Sequence, residues 1–488
     1  MRAAPWPALW AALLVAACDG TGEPGGVVAL EIFPDSMWLA RGDSDRVFVG
    51  ALDIDSNPVA GVGIGFVSSD TSIATVSTLG MVRSVGPVGQ AVVTVSGGGV
   101  STTMPVTVVN YPAEIELVPV DTSLYSGDSF QMEVAVRDSS GQPLPLQLIL
   151  FASNDTAVVT ISPAGLVESV GPLGSAILLG AYRSVFDASV VHVVDDRIRL
   201  RRTRGPAPYG ATATGSGTAL ITLQGDESLV RLDLTTGQFG PRVVVGEGPG
   251  DVAVAPGGAT AYVANETSGT VSVVDVATDL ETDVIAVSGR PLPLQVGAGG
   301  SALFVGTSTN FLYRIDLTTK LATDSLALPV ASRHMAFNSD RSRLYVSTGP
   351  VGTVLEVDPA SVTVLRTFAV GGRVQGLAVS PDGTRLYAAD DQGSGPEGPA
   401  LVIWDVTANA EIDRVFLAGG VYSVALNGDG SRALVGLRGS GELAEINTAG
   451  ASVTGRIPSG GVPVRIAFDA AAGVFVTTNE FNWVDLVP

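Results

Sequence analysis

Side chains able to do chemistry are scarce in this chain. Of 488 residues two are His, His192 and His334, and one is Cys, Cys18. Two imidazoles exclude His-rich zinc, copper or di-iron centres, and a single thiol excludes an intramolecular disulfide. Carboxylates are plentiful, with 48 Asp and Glu against 27 Lys and Arg, and what orders them is spacing. Asp233, Asp275, Asp316, Asp358, Asp405, Asn447 and Asp485 follow one another at intervals of 42, 41, 42, 47, 42 and 38 residues. Each stands in a run rich in β-branched residues. Their default role is to form turns at strand ends, because Asp and Asn tolerate the backbone angles that turns need.

The elements that must position these residues repeat with the same period. Residues 250–290 hold four short β-branched runs separated by Gly, Pro, Asn and Asp, which reads as four strands joined by tight turns. A four-stranded unit recurring about every 42 residues is the signature of a β-propeller blade. Six units are complete between residues 208 and 457. The seventh has three runs, at 464–468, 474–478 and 483–487. Residues 197–203 stand before the first inner run and can supply its missing outer strand, closing a ring that would otherwise expose a strand edge. Pro381-Asp382-Gly383, Gly428-Asp429-Gly430 and Pro256-Gly257-Gly258 are read as two-residue hairpin turns. An insertion at 391–399 accounts for the interval of 47.

Inner strands of a propeller line its channel, so their N-terminal ends are where a ligand would be met. Aligning the units on their second runs makes Tyr209, Asp251, Pro293, His334, Gly376, Ser423 and Arg465 equivalent. The ring before them is Pro208, Gly250, Leu292, Arg333, Gln375, Tyr422 and Val464. Together they bring Tyr209, Asp251, Arg333, His334, Gln375, Tyr422 and Arg465 to one channel mouth, a polar and aromatic mixture suited to a polar ligand. The competing view is that a wet channel simply tolerates polar residues. No Asp/Glu cluster recurs at one position of the unit apart from the strand-end carboxylates. No catalytic residue, cofactor or metal site is therefore assigned.

Formal net charge is −21, so the surface as a whole repels nucleic acid and anionic membranes. A counter-example would be the run Arg197, Arg199, Arg201, Arg202 and Arg204, read either as an anion-binding patch or as an outer strand with Ile198 and Leu200 inward and arginines outward. The second reading is preferred because the ring needs that strand. Nucleic-acid binding is not expected, and a monomer is.

Residues 1–17 carry one positive charge, Arg2, then an apolar segment ending in small residues, the layout of a secretory signal peptide. Leu14-Val15-Ala16-Ala17-Cys18 resembles the lipobox of bacterial lipoproteins. The resemblance implies cleavage before Cys18, its diacylation and acylation of the new amine, since stable anchoring takes more than one chain. An ordinary signal peptide with an incidental Cys is the alternative. Residues 18–26 read as a flexible tether.

Between 27 and 194 the chain is duplicated. A shift of 85 residues places Glu31 on Glu116, Gly42-Asp43-Ser44 on Gly127-Asp128-Ser129, Phe66 on Phe151, and Ser84 to Gly89 on Ser169 to Gly174 without a gap. About seven alternating runs in each copy, 27–109 and 110–194, suit a β-sandwich. The Gly-Asp-Ser, the Asp-x-x-x-x-Pro hairpin and the Ser/Asn-Asp-Thr turn resemble group 2 bacterial immunoglobulin-like domains. Phe66 and Phe151 stand where that family usually has Trp, and an aromatic core plug is expected. Tyr262-Val263-Ala264-Asn265 and Ser380-Pro381-Asp382-Gly383 resemble YVTN-type β-propeller repeats, a likeness that spans 197–488 and implies a fold more than an activity.

The expectation is an all-β chain, two tandem immunoglobulin-like sandwiches followed by a seven-bladed propeller at 195–488. Its expected role is that of a non-enzymatic lipoprotein of the bacterial cell envelope, on the periplasmic face or the cell surface. It would be anchored to the membrane through Cys18 and would bind a protein, glycan or envelope partner. The rival is a lactonase- or hydrolase-like propeller enzyme with a carboxylate-bound divalent metal.

Overall fold

A computed structural model describes residues 26–203, 207–393 and 398–488. The signal peptide, Cys18, nearly all of the tether, Arg204 and part of the 391–399 insertion lie outside the described residues. The described chain is all-β, its strands interrupted only by short 3-10 turns.

Residues 29–109 form two packed layers. One is the sheet ordered Met37–Ala40, Val100–Val109, Gly89–Gly97, Gly65–Ser68, and the other contains Ser44–Arg46, Met81–Ser84 and Ala74–Val76. Residues 112–193 repeat that order strand for strand, from Asp121–Leu124, Val185–Val193, Gly174–Tyr182 and Leu150–Ser153 to Ser129–Gln131, Leu166–Ser169 and Val159–Ile161. Alternation explains both layers: Val93, Val95, Met104 and Val106 point inward in the first copy, and Leu117, Leu178 and Val191 in the second, all wholly buried. Phe66 and Phe151 do not plug these cores. They pack against the margin and stay partly exposed, because aliphatic side chains already fill the centre.

Seven four-stranded antiparallel sheets follow. Their innermost strands are Pro208–Ala213, Pro249–Val254, Pro291–Val296, Met335–Phe337, Val374–Val379, Val421–Leu426 and Pro463–Asp469, and they define sheets I to VII. Each innermost strand packs beside the next, and that of sheet VII packs beside that of sheet I. The sheets therefore close into a ring around a central channel. Apolar layers between neighbours hold it, such as Tyr387, Leu401, Ile403, Val424 and Val435 between sheets V and VI.

Sheet VII is completed from elsewhere in the chain. Leu200–Thr203 pairs antiparallel with Trp483–Val487, Leu200 opposite Leu486 and Thr203 opposite Trp483. This strand is shorter than 197–203, since Arg197 is held in the preceding turn by Asp195, Nε to Oδ1 at 2.8 Å. Nor do all its arginines face outward. Arg201 is buried, makes a two-point contact with Asp485 at 2.6 and 2.9 Å, and lies over the Trp483 ring at 4.7 Å. The physical reason is that the second sandwich covers the strand's other side, where the Arg201 backbone N–H donates to Ser123 Oγ at 3.0 Å.

Asp485 also leaves the series of strand-end carboxylates. In sheet II Thr260 faces Asp275 and in sheet V Arg385 faces Asp405. In sheet VII Phe475 faces Val487, so the residue in the carboxylate's place is Pro488. The odd interval of 38 has this cause. At the true positions the turn role holds: Asp233, Asp275 and Asp316 each accept two backbone N–H groups from the residues that follow. Those bonds hold their pKa values below the usual carboxylate range. The hairpins at Ser380 and Asn427 are longer than two residues: the Gly383 N–H returns to the Ser380 carbonyl and that of Gly430 to Asn427. Only the glycine takes a positive φ, 74° and 73°.

Candidate functional site

Each inner strand starts with a defect that shapes the channel mouth. Pro208, Pro249, Pro291, Val374, Val421 and Pro463 pair with the last residues of the second strands, and a register shift follows each of them. Such a bulge inserts an unpaired residue and re-aims its side chain. The re-aimed positions are Tyr209, Gly250, Leu292, Gln375, Tyr422 and Val464, with Arg333 corresponding in sheet IV. Tyr209 thus belongs with Arg333, Gln375 and Tyr422, and Gly210 is the residue equivalent to Asp251. The alignment based on second runs is one residue out in sheet I, because the hairpin joining its first two strands is one residue shorter: Ala213 pairs with Ala219, where Val254 pairs with Ala261 and Val379 with Leu386.

Six of the residues anticipated at the mouth line one cavity: Tyr209, Asp251, Arg333, Gln375, Tyr422 and Arg465. Glu266, Leu292 and Ser332 complete the lining. His334 lies beside it in the channel wall, its Nδ1 accepting the Leu377 N–H at 3.2 Å. The second-strand Thr side chains hold the wall together. Thr222 Oγ1 accepts from Gly210 N–H and donates to the Gly250 carbonyl, both at 2.7 Å. Thr478 Oγ1 accepts from Arg465 N–H at 3.2 Å and donates to the Tyr209 carbonyl at 2.6 Å. Gly210 is required there, since a Cβ would stand 2.2 Å from the Gly250 carbonyl oxygen.

Glu266 was not anticipated. It directly follows the Tyr-Val-Ala-Asn run, in the turn between second and third strands, and that turn folds over the same end of the channel. Its carboxylate comes so near Gly250 that a Cβ there would lie 2.5 Å from Oε1. The signal available in the sequence was position alone: the turn after a second strand must open on the same face as the N-terminus of the inner strand.

The cavity's electrostatics are dominated by burial. Arg465 is only 9 % exposed, and its Nε has no hydrogen-bond partner. Burial opposes its charge, but Asp251 first, then Tyr209, Tyr422 and Glu266, outweigh that and hold its pKa above the ordinary value. Its guanidinium carbon is 5.7 Å from the Tyr209 ring centre. Burial raises the pKa of Asp251 despite Arg465 and the Leu294 N–H that Asp251 accepts at 2.9 Å. Burial likewise raises Glu266 and the Tyr209 phenol. It pulls the His334 imidazolium down to about 3, with Arg465 repelling the same proton, so this ring is neutral near pH 7.

Other polar groups at the rim are already occupied. Gln375 Nε2 donates to Asp391 Oδ2 at 3.0 Å, and Arg373 Nε donates to Asp391 Oδ1 at 2.7 Å. Arg438 lies 4.8 Å over the Tyr422 ring and pairs with Glu480 at 2.8 Å. Arg333, by contrast, is exposed and forms no ion pair among the described residues. Among the described residues no three His, Cys, Asp or Glu side chains are grouped to hold a metal ion. What the cavity offers is a mixed set of donors, acceptors and aromatic faces.

Structural comparison gives the ring its fold. A chain of hydrazine synthase from Kuenenia stuttgartiensis superposes with a TM-score of 0.54 at 21 % identity, over 59 % of this chain and 96 % of its own. A chain of a mitotic checkpoint complex superposes with a TM-score of 0.54 at 13 % identity, over 60 % of this chain and 92 % of its own. Both are β-propeller proteins. The ring is a β-propeller. At these identities the likeness speaks for fold alone. No protein-family model matches the sequence, and no curated protein matches it either.

Proposed function

We propose that this chain is an exported lipoprotein of the bacterial cell envelope, anchored through Cys18, whose propeller binds a polar ligand or partner at its channel mouth without catalysing a reaction on it. In this reading the propeller has seven blades of the YVTN type, and the two sandwiches are bacterial immunoglobulin-like domains that hold it away from the membrane. Seven four-stranded sheets with their inner strands in a closed ring support the blade count. The shared strand order of the two sandwiches supports a common immunoglobulin-like ancestry.

One observation carries the binding role. Residues from all seven sheets converge on a single cavity around an arginine that is buried with its Nε unpartnered. Binding fits better than imidazole-based acid–base catalysis, because the one imidazole at the mouth is held neutral and its Nδ1 is engaged by a backbone N–H. The test is a glycan and peptide array probed with the mature chain and with Asp251→Ala, Arg333→Ala and Tyr422→Ala. Signals should change in the variants, falling in Arg333→Ala and Tyr422→Ala, and signals unchanged in every variant would remove the site. Intact mass of the mature protein, with protease shaving of whole cells, tests acylation at Cys18 and display; an unmodified thiol would end the lipoprotein reading.

A further inference from the structure

We infer that the channel mouth is built to receive a carboxylate group, held between the Arg465 and Arg333 guanidinium groups; this rests on the mouth being a ligand site and names the chemistry it reads. Arg465 is the decisive residue. A guanidinium presents five donors in a planar fork, and one taken out of water without full pairing is unfavourable until an acceptor arrives. Its backbone N–H is tied to Thr478, which points the side chain at the cavity from a fixed strand. Arg333 reaches the same cavity from sheet IV, and Arg290 adds a third positive charge close enough to act on Glu266.

The cavity has ≈ 40 Å³ of room for water-sized groups, about three water positions at roughly 10–15 Å³ each, so a carboxylate fits it, and its two in-plane oxygens match the planar Arg465 fork. The rest of such a ligand would lie outward, against the Tyr422 ring and Gln375 on the rim.

Asp251 and Glu266 are the opposing charges, and they alone would favour a cation. Two facts weigh against that occupant. Asp251 already accepts the Leu294 N–H, and burial moves both carboxyls toward their neutral forms. The unmet hydrogen-bonding capacity of the cavity lining belongs to Arg465 Nε, a donor, and to Ser332 Oγ, a hydroxyl that can also donate to an anion.

The experiment is calorimetric titration of the full mature chain at constant ionic strength with sodium acetate, sodium glucuronate, sodium phosphate, glucose and methylammonium chloride. Acetate and glucuronate should saturate one site. Arg465→Gln should weaken both about tenfold, the effect of losing one charge-assisted contact, and Asp251→Asn should tighten them by removing a repelling charge. Arg333→Gln, at an exposed position where folding is not at stake, should weaken both as well. Carboxylates that fail to saturate, that bind more weakly than phosphate, or that bind equally well to both arginine variants, overturn the inference. Methylammonium or glucose bound in preference, and lost in Asp251→Asn, would overturn the carboxylate chemistry while leaving the mouth as a polar ligand site.

Discussion

Desolvation and the charge of Arg465 hold the His334 imidazole neutral, its pKa down to about 3, and this has a measurable consequence for folding. In the unfolded chain the ring titrates near 6.5. Below that pH the unfolded state binds a proton that the native state refuses, so stability is full above about 6.5 and declines as pH falls toward the folded value. Replacing His334 by Asn keeps an acceptor for the Leu377 N–H and removes the titration. Urea unfolding at pH 7.5 and 5.0 should show the parent losing roughly 2 kcal/mol more than His334→Asn over that interval. Equal losses in the two proteins would show that His334 is solvated in the native state. The other residues of the mouth share this dependence on burial: Asp251, Glu266 and Tyr209 are all shifted against their charged forms by the same wall that leaves Arg465 charged.

At the scale of the strand, the closing element works through one buried ion pair. Arg201 reaches Asp485 with two hydrogen bonds, and its Nη2 also donates to the Ser459 carbonyl at 2.5 Å. Ser459 Oγ donates to Asp485 Oδ2 at 2.7 Å. Removing one partner strands the other charge in a water-free layer, which typically costs about 3–5 kcal/mol. Asp485→Ala should lower unfolding stability by about that amount in denaturant titration. Arg201→Met combined with Asp485→Leu should recover most of it, because the pair is then replaced rather than broken. A loss below about 1 kcal/mol in Asp485→Ala would mean that the backbone pairing alone closes the sheet. The inner-strand bulges act at this scale too, since each turns one side chain of its strand toward the channel.

For the whole molecule, closure joins parts of the chain far apart. The strand Leu200–Thr203 belongs at once to sheet VII and, through Ser123, to the boundary with the second sandwich. The sandwiches are joined in turn by Asp43, which accepts from Tyr182 and Arg183, while the Arg183 guanidinium lies 4.5 Å from the Tyr111 ring centre. A chain starting at residue 195 should therefore melt cooperatively and stay monomeric. One starting at residue 207 lacks the closing strand and leaves Trp483–Val487 as an open edge, which should lower its melting temperature and promote association. Light scattering coupled to gel filtration, with thermal melts, compares the two. Identical behaviour would show that the ring closes without its clasp.

What the sequence determined by itself is what depends on near neighbours. Strand alternation, turn residues and the period of about 42 are local or repeated features, and they suffice for an all-β chain with a propeller. They also suffice for the face of the ring on which Tyr209, Asp251, Arg333, Gln375, Tyr422 and Arg465 meet, since a repeat places equivalent residues at equivalent heights. The tertiary structure decided the rest. A hairpin one residue shorter in sheet I moved Tyr209 by one place in the ring, because strand alternation reads the same on either side of a turn whatever its length. Glu266 joined the site through a turn folding over the channel. Arg201 was buried by Asp485, 284 residues away, and by a sandwich packed on its strand. Contacts of that range carry no local signature, and they are what sets the charge, burial and protonation on which this site's chemistry depends.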